Sequence, residues 1–450
     1  MIYLFIDKIK KKLKKTFPSI SNYYTHTREY LYLCKKRKRL RKELKYIDTI
    51  PSKQKDALKM LKNKKTLRCV FLALFEETWK CDKVYQLMND NKRFEPIILV
   101  CPIVNYGEKN MISRLNSAYS FFSSLGYKVI KSYDEKTNTY IHIEDLAPDI
   151  LFYTNPYEGL IDDRYYITNY SQYLTLYVPY GFNPSNDYNL TTNLLLHNVV
   201  WRFYCESRDH LTYIQGNRVN GRNAVVTGYP GIESLIDPSY NIKENNWKIT
   251  HKRVKRIIWA PHHTISPIGN VNYSCFIQYA DFMLEMAEKY QEQAEFVFKP
   301  HPLLKNKLEE IWSKKKVDKY YKQWSIRPNC NIVNGNYIDL FLSSDAMIHD
   351  CGSFLIEYLY VNKPVIRTLN DVPLENLYNP FAQRCLEQYY FARTKQDIEF
   401  FILNVINDID PLKEQRTKFI NEVLTPKGSP SQNIIDDILG SIDDQILYRN

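Results

Sequence analysis

The stretch Ser344–Tyr358 constrains the fold of this chain more than any other part of it. Its apolar run Ala346-Met347-Ile348 predicts a short buried strand, Gly352 predicts a tight turn, and Phe354–Val361 predicts a helix that Ser353 caps. A strand that leads through a tight turn into a helix is the repeating unit of α/β proteins. Backbone N–H groups and the positive end of the helix dipole meet there, so this unit predicts an anion site, above all for phosphate.

Two further predicted strands end in polar turns of the same kind. They are Trp259-Ala260-Pro261-His262-His263-Thr264 and Phe298-Lys299-Pro300-His301-Pro302. In a parallel sheet the carboxyl ends of neighbouring strands lie at one edge. Three strand ends that carry His, Lys or Ser therefore predict one crevice for a phosphorylated ligand.

Strand-like and helix-like patterns alternate along most of the chain, which favours a parallel α/β sheet. The pattern restarts after a break near residues 240–255, and 450 residues exceed the usual size of one core, so we expect two α/β units and an appendage. The predicted strands are Leu67–Phe75, Pro96–Val100, Tyr127–Ile130, Asp149–Tyr153, Leu174–Val178, Ile257–Ala260, Glu295–Phe298, Asn331–Val333, Ala346–Ile348 and Lys363–Ile366. The predicted helices are Trp79–Met88, Met111–Leu125, Phe276–Tyr290 and Phe354–Val361.

Positive charge is concentrated at the N-terminus. Residues 1–66 hold 21 lysines and arginines against five acidic residues, a charge of +16, so residues 67–450 carry −4 of the chain's +12. Apolar side chains recur there at helical spacing with lysines between them, which predicts an amphipathic helix on an anionic membrane surface. The apolar residues are Ile2, Phe5, Ile6, Ile9, Leu13 and Phe17.

A second basic block, Lys35–Arg39 with Arg41 and Lys42, adds roughly 1 kcal/mol of attraction per charge near such a surface. A solvated charged helix and a nucleic-acid contact are the alternatives, and no nucleic-acid-binding module accompanies the block. No apolar run approaches the ~20 residues of a spanning helix, and the order of apolar and charged residues is not that of a secretory signal. The nine cysteines form no CxxC pair, which favours a reducing compartment. We therefore expect a peripheral protein on the cytoplasmic face of the membrane, without a nucleic-acid partner.

The three strand-end motifs, together with Lys363-Pro364, resemble the CDP-glycerol glycerophosphotransferases, which include teichoic-acid primases, polymerases and capsule-building relatives. The resemblance covers mainly residues 225–370. It implies a GT-B-like fold, in which two Rossmann-type domains face a cleft and the C-terminal domain binds the activated donor. On this basis we expect four regions. These are 1–66, basic membrane-associating helices; 67–250, the acceptor domain; 251–400, the donor-nucleotide domain; and 401–450, helices that pack back across both domains.

The resemblance also implies roles for single residues. His301 matches the histidine of a Lys-Pro-His-Pro signature that faces the donor phosphates, and Ser353 matches a serine of the Asp-Tyr-Ser-Ser turn that holds the diphosphate. This chain has Cys351-Gly352 within that turn and His349 where a threonine is usual. The family's Trp-His-Gly motif, with its presumed base, has no clear counterpart; Tyr180-Gly181 stands at about that place and is our acceptor-side candidate.

The remaining candidates follow from the chemistry of phosphodiester formation, which needs a neutralised diphosphate, an aligned acceptor hydroxyl and a base. His262 or His263 contacts the phosphate or serves as the base, and Asp350, Gly352 and Lys299 complete the phosphate cradle with Ser353. Each has a structural alternative: a turn residue for His301 and Asp350, a helix cap for Ser353. No metal cluster or cofactor is predicted, although Mg²⁺ bound with the donor diphosphate is compatible with the motifs.

These residues predict a transferase that moves glycerol- or ribitol-phosphate from a CDP-activated donor to a lipid-linked or polymeric acceptor. The product is a teichoic acid-like polymer, a capsule or another surface glycan. The alternative is a GT-B glycosyltransferase that uses a nucleotide sugar. The missing Trp-His-Gly motif leaves a third class open, a non-catalytic membrane-bound assembly subunit.

Overall fold

A computed structural model of the chain describes residues 18–105, 107–266 and 272–448, with side chains from residue 33 onward. The predicted apolar stripe from Ile2 to Phe17 lies outside the described residues. The first described element is a 44-residue helix, α1 (Pro18–Leu61). Among the described helices, none combines the length and the apolar character that a crossing of the bilayer requires.

The N-terminal unit is built on a seven-stranded sheet whose strand pairs are all parallel. Its first strand along the chain, Leu-Arg-Cys-Val-Phe-Leu-Ala, lies inside the sheet and is almost wholly buried, which is typical of a sheet covered on both faces. The strands in chain order are β1 (Leu67–Ala73), β2 (Phe94–Val100), β3 (Val129–Lys131), the small antiparallel hairpin β4 (Tyr133–Asp134) and β5 (Thr139–Tyr140), β6 (Ile150–Tyr153), β7 (Leu174–Tyr177), β8 (Arg202–Cys205) and β9 (Ala224–Val226). The helices that follow α1 are α2 (Asp82–Asp90), α3 (Glu108–Ser124), α4 (Tyr188–Thr191), α5 (Leu195–Val199), α6 (Arg208–Ile214) and α7 (Glu233–Ile236).

The C-terminal unit is built on a six-stranded sheet, again with only parallel pairs. Its strands are β10 (Lys255–Ala260), β11 (Ala294–Phe298), β12 (Cys330–Ile332), β13 (Ala346–His349), β14 (Val365–Thr368) and β15 (Tyr390–Ala392). Its helices are α8 (Phe276–Lys289), α9 (Leu304–Ile311), α10 (Lys314–Ile326), α11 (Ile338–Ser343), α12 (Phe354–Glu357), α13 (Leu374–Leu377), α14 (Pro380–Leu386), α15 (Lys395–Ile406), α16 (Lys413–Phe419) and α17 (Pro430–Asp443).

The two sheets share one topology. The N-terminal order is β3-β2-β1-β6-β7-β8-β9 and the C-terminal order is β12-β11-β10-β13-β14-β15. With the hairpin set aside, both follow the 3-2-1-4-5-6 order of doubly wound Rossmann domains, in which ligands bind where the strand order reverses. The reversal lies between β1 and β6 in one sheet and between β10 and β13 in the other. The expected parallel α/β fold with two Rossmann-type sheets is confirmed.

The predicted helix Phe354–Val361 is shorter than expected. α12 ends after four residues at Glu357, and the chain continues as a 3-10 turn, Tyr358–Val361, that Asn362 ends with a left-handed φ of 51°. Strand β14 begins at Val365 rather than at Lys363. The chain therefore returns to the sheet through a tight turn, with little regular helix after the key loop.

The C-terminal tail contacts both units. Helix α15 buries Ile398, Phe401 and Ile402 in the core of the C-terminal sheet. Helix α17 instead buries an isoleucine stripe in the N-terminal core, where the buried guanidinium of Arg202 lies 2.9 Å from a carboxylate oxygen of Asp437. The stripe is Ile434, Ile435, Ile438 and Ile442.

The second half of α1 packs into the globular body. Ile47, Ile50 and Leu58 are buried in the N-terminal unit, whereas the basic block Lys35–Arg39 is exposed. The first described contacts with the body are those of Arg39 with Glu158 and of Glu43 with Arg218, the latter at 2.6 Å. Among the residues whose side chains are described, the contacts of α1 with the body thus begin at Arg39.

Candidate functional site

Three loops meet at the carboxyl edge of the C-terminal sheet. They follow β10, β11 and β13, and β10 lies between the other two strands. The loops carry His262 and His263, Lys299 and His301, and Asp350 to Ser353. The structure therefore brings together the residues that the sequence assigned to one crevice, at the point where the strand order reverses.

The three histidines form a compact cluster. Ring centroids are 4.3 Å apart for His262 and His263, 4.0 Å for His263 and His301, and 5.0 Å for His262 and His301. Burial is the main cause of a pKa near 3 for His301 and near 4 for His263, and it holds the pKa of His262 well below 6.5. All three imidazoles are therefore neutral at pH 7.

Hydrogen bonds to the backbone fix which nitrogen carries the proton in two of these rings. Nδ1 of His301 accepts from the N–H of Leu303 at 3.1 Å, and Nδ1 of His262 accepts from the N–H of Thr264 at 3.3 Å. Nδ1 of His262 also lies 2.9 Å from the Thr264 hydroxyl, which accepts from the N–H of Tyr273 and can donate its own proton to Nδ1. A neutral imidazole that accepts at Nδ1 carries its proton on Nε2. Two of the three rings thus present N–H donors. In His263 the buried Nδ1 has no partner among the described residues.

The cluster can be compared with a metal site. Nitrogens of the three rings lie within 4.8 Å of one another, close enough for small side-chain rotations to bring them to one ion. A metal ligand must offer an unprotonated nitrogen. Because the free Nε2 atoms of His262 and His301 carry protons, the observed hydrogen bonds suit an anion better than a metal ion.

Lys299 adds a cation beside the histidines. Its side chain is buried, and Nζ donates to the carbonyl oxygen of Gly335 at 3.0 Å. Burial lowers the pKa of Lys299 to about 8, and the carboxylate of Glu77 opposes this shift from the N-terminal unit. The ammonium group is therefore mostly charged at neutral pH, and because the side chain is buried, solvent screens this charge poorly.

Asp350 holds the loops together. Its Oδ1 accepts from the N–H of His262 at 2.6 Å and its Oδ2 from the N–H of Cys275 at 2.7 Å. The buried guanidinium of Arg367 donates to the carbonyl oxygens of Asp350 and Cys351 at 2.7 and 3.0 Å. Burial raises the pKa of Asp350 to about 6. Both carboxylate oxygens are engaged, so Asp350 is placed to position the cradle rather than to contact a phosphate.

The predicted helix cap at Ser353 is wrong. Ser353 has helical angles, φ −63° and ψ −35°, and its side chain makes no capping bond. Ser353 immediately precedes α12 without capping it, and the residue is exposed, so a ligand can reach it. A Cβ on Gly352 would lie 3.4 Å from the ring of Tyr273, which is ordinary contact, so a small side chain fits there.

Tyr180 and Gly181 lie on the N-terminal side, after β7. The hydroxyl of Tyr180 is 3.0 Å from that of Tyr157, and burial raises the pKa of Tyr180 well above 10, so the phenol stays protonated. A Cβ on Gly181 would meet nothing within 4 Å, which marks open space. On the C-terminal side, the ring of Tyr273 packs edge-on against His262 with a centroid distance of 5.1 Å.

Several residues at the cleft were not among the sequence candidates. Lys80, from the N-terminal unit, donates to the Tyr337 hydroxyl at 2.9 Å, and Tyr337 in turn donates to the buried carboxylate of Glu357. Glu77 lies in the turn after β1. The sequence does contain a pattern that could have identified Glu77. Glu76-Glu77 follows the buried strand β1 after a few residues, as His262 and His263 follow β10.

Comparisons with known proteins agree with this architecture. The sequence model of the CDP-glycerol:poly(glycerophosphate) glycerophosphotransferases matches residues 185–375. The teichoic acid ribitol-phosphate polymerase TarL of Staphylococcus aureus (strain NCTC 8325 / PS 47) is 24% identical over 258 residues, which are 55% of this chain and 42% of that protein. The chain therefore matches less than half the length of this relative.

Solved structures share the fold. The S. aureus MnaA–UDP co-structure superimposes with a TM-score of 0.56 at 15% identity, over 86% of this chain and 99% of that one. UDP-GlcNAc 2-epimerase from Neisseria meningitidis, bound to UDP-GlcNAc, gives 0.51 at 16% identity, over 83% and 100%. At these identities the likeness establishes the GT-B-like arrangement of two Rossmann domains. The matched segment, residues 185–375, contains the histidine cluster and the Asp350 turn, and it confirms the resemblance of this chain to the CDP-glycerol:poly(glycerophosphate) glycerophosphotransferase family.

Proposed function

We propose that the chain is a transferase that moves a polyol phosphate, glycerol- or ribitol-phosphate, from a CDP-activated donor to a hydroxyl of a lipid-linked or polymeric acceptor. The observation that carries the proposal is the cluster His262, His263 and His301, whose neutral rings offer N–H donors within the segment that matches the family. The relative TarL is named for ribitol-phosphate polymerisation, which belongs to the same class of reaction.

The donor diphosphate lies against the C-terminal loops in this proposal. The Nε2–H groups of His262 and His301 and the hydroxyl of Ser353 hydrogen-bond the phosphate oxygens, and Lys299 supplies positive charge beside them. These donors face the place where charge develops on the departing CMP, and in a site with little water such contacts stabilise a transition state strongly. Asp350 and Arg367 keep the donors in place, because they bind the backbone of the loops that carry them.

The acceptor approaches from the N-terminal side. Tyr180, hydrogen-bonded to Tyr157, and the open space beside Gly181 lie at the end of β7. Phenol rings with a polar tip are suited to bind polyol and sugar hydroxyls. The acceptor hydroxyl would thus face the donor phosphorus across the cleft, which is the alignment that phosphoryl transfer requires.

A nucleotide-sugar glycosyltransferase is the second candidate. It is favoured by the two structural neighbours, which are described with UDP and with UDP-GlcNAc. The fragment released from the donor distinguishes the two reactions. A polyol-phosphate transferase releases CMP, whereas a glycosyltransferase of this kind releases a nucleoside diphosphate.

We place the enzyme at the cytoplasmic face of the membrane, in the synthesis of a teichoic acid-like polymer, a capsule or another surface glycan. The support is the exposed basic block Lys35–Arg39, which precedes the packed part of α1. Because Ile47 and Leu58 are core residues, removal of residues 1–66 would damage the fold. Replacing Lys35, Lys36, Arg37 and Lys38 by Gln tests the idea without this damage. Release from anionic liposomes is expected, and unchanged sedimentation with them would contradict membrane binding through this block.

The proposed function is tested by nucleotide release from purified protein with CDP-glycerol, CDP-ribitol and common nucleotide sugars, and with a membrane-lipid extract as acceptor. We expect CMP release that His301→Ala and Ser353→Ala reduce by at least tenfold. The matched control is His251→Ala, an exposed histidine of the same domain. Release of UDP or GDP would show that the chain is a nucleotide-sugar glycosyltransferase instead. If no nucleotide is released from any of these donors, the proposal is contradicted and a non-catalytic assembly subunit is favoured.

A further inference from the structure

Glu77 lies at the position in the N-terminal sheet that the histidines occupy in the C-terminal sheet. It belongs to the 3-10 turn Glu76–Thr78 that follows β1. β1 pairs with β2 on one side and with β6 on the other, so its carboxyl end is the point where the strand order reverses. Ligands of doubly wound sheets bind outside this point. Glu77 is therefore an N-terminal-domain residue of the cleft itself.

One oxygen of the Glu77 carboxylate is held and the other is free. Oε1 accepts from Nη1 of Arg114, on α3, at 2.8 Å. Oε2 is buried and has no hydrogen-bond partner among the described residues. A buried carboxylate oxygen without a donor is costly, so such an atom calls for a ligand or a functional role.

The charged groups that face Glu77 come from both domains. Arg114 contacts it from α3, Lys80 interacts with it electrostatically from the same loop, and Lys299 does so from the loop after β11. Glu76 is the neighbouring carboxylate. The interaction with Lys299 shows that the Glu77 carboxylate of the N-terminal unit lies near the C-terminal loop that also carries His301.

We propose that Glu77 is the general base that takes the proton from the acceptor hydroxyl, an assignment that rests on the proposed function. The acceptor oxygen forms a bond to the phosphorus that carries the polyol, and the bond from this phosphorus to the oxygen bridging to CMP breaks. That oxygen leaves with its electron pair as part of CMP. The hydroxyl proton passes to Oε2 of Glu77 and then to solvent, so atoms and charge balance without a further reactant.

Other groups of the cleft are less suited to accept this proton. His262 and His301 already carry a proton on the nitrogen that is free, and Tyr180 stays protonated. His263 has an unpartnered Nδ1, but it belongs to the C-terminal loop after β10, among the groups assigned to the donor phosphates. The carboxylate of Glu357 is occupied by Tyr337. Glu77 thus combines an unengaged oxygen with a place on the acceptor side, where the family's presumed histidine base is missing in this chain.

The test compares Glu77→Gln with Glu76→Gln in the purified chain. Gln at 77 keeps an oxygen that accepts from Arg114 but cannot take a proton. Glu76, in the same turn, accepts from Ser117 at 2.7 Å and also has a buried Oε2 without a partner among the described residues, so the pair of variants decides which carboxylate acts, and a larger loss in Glu76→Gln would overturn the assignment. CMP release gives kcat and KM with the donor that wild type uses, and calorimetry with CDP-glycerol gives donor affinity. We expect kcat of Glu77→Gln to fall by about 10² to 10⁴ with donor affinity within threefold of wild type.

Two readouts separate a base from a structural residue. The acid limb of the wild-type kcat–pH profile is expected to disappear in Glu77→Gln, and Glu77→Asp is expected to recover part of kcat. A Glu77→Gln enzyme with more than a third of wild-type kcat, or with the same profile as wild type, overturns the assignment while the proposed function stands. A wild-type chain that releases no CMP from CDP-glycerol or CDP-ribitol overturns the proposed function, and the base assignment falls with it.

Discussion

Oδ1 of Asp350 accepts a hydrogen bond of 2.6 Å from the backbone N–H of His262, which joins the loop after β13 to the loop after β10. The other oxygen binds the N–H of Cys275, at the start of α8. One buried carboxylate thus sets the separation of three segments that carry or support the histidine cluster.

Replacement of Asp350 by Asn should therefore weaken the site and the fold together. The amide nitrogen of Asn would face one of the two N–H donors, leaving a buried donor without an acceptor at a cost of about 1–3 kcal/mol. We expect the free energy of unfolding, measured with urea, to fall by that amount and donor affinity to fall severalfold. Asp371→Asn, on an exposed residue after β14, is the control and should change neither quantity. Unchanged donor affinity in Asp350→Asn would contradict the positioning role.

The buried neutral histidines should make the fold sensitive to acid. The folded-state pKa of His301 is about 3, below the ordinary value of 6.5, so its stabilising contribution is present above pH 6.5 and is lost as pH falls toward 3. At pH 5 the loss amounts to about 2 kcal/mol for this residue. Asp350 acts in the opposite sense, because its pKa is raised to about 6 and its contribution is lost as pH rises from about 4 through 6.

Comparison of wild type with His301→Gln isolates the histidine contribution. Glutamine is neutral throughout, so we expect the difference in unfolding free energy between pH 7.5 and pH 5 to shrink by about 2 kcal/mol in the variant. Urea unfolding at the two pH values measures this, with His251→Gln as the exposed control. An identical pH dependence in wild type and His301→Gln would show that His301 is not held neutral.

The histidine cluster was predictable because it depends on topology alone. Apolar strands ending in Pro-His-His and Lys-Pro-His-Pro must place these side chains at one sheet edge once the strands are parallel neighbours. The failure at Ser353 concerns local dihedral angles: a serine before an apolar run favours a cap, but the turn after Asp350 already has helical angles there. Strand β8 is not predicted because Arg202 interrupts its apolar pattern, and its burial is explained by partners more than 230 residues later in the chain, Asp437 among them.

The acceptor side is tested by Tyr180→Phe. The substitution removes the hydroxyl that lies 3.0 Å from that of Tyr157 and leaves the ring in place. A neutral hydrogen bond contributes about 0.5–1.5 kcal/mol, so we expect the KM for the acceptor to rise by roughly 2- to 10-fold while the KM for the donor stays unchanged. Tyr390→Phe, which removes a hydroxyl bonded to Asp410 far from the cleft, is the matched control. A rise in the donor KM instead would place Tyr180 on the donor side.

The C-terminal helix offers a buried and an exposed ion pair for comparison. Arg202 is fully buried and binds Asp437 and Ser441 of α17 and the carbonyl oxygen of Leu447, whereas Arg93 reaches the exposed Asp443 of the same helix at 3.3 Å. Loss of one partner from a buried pair leaves a desolvated charge and costs about 3–5 kcal/mol, while an exposed pair contributes less than about 1 kcal/mol. We expect Arg202→Met to lower the free energy of unfolding by the larger amount and Arg93→Met by the smaller, as measured by urea denaturation. Equal effects of the two substitutions would mean that α17 is not anchored through Arg202, and that its isoleucine stripe alone holds the tail to the N-terminal domain.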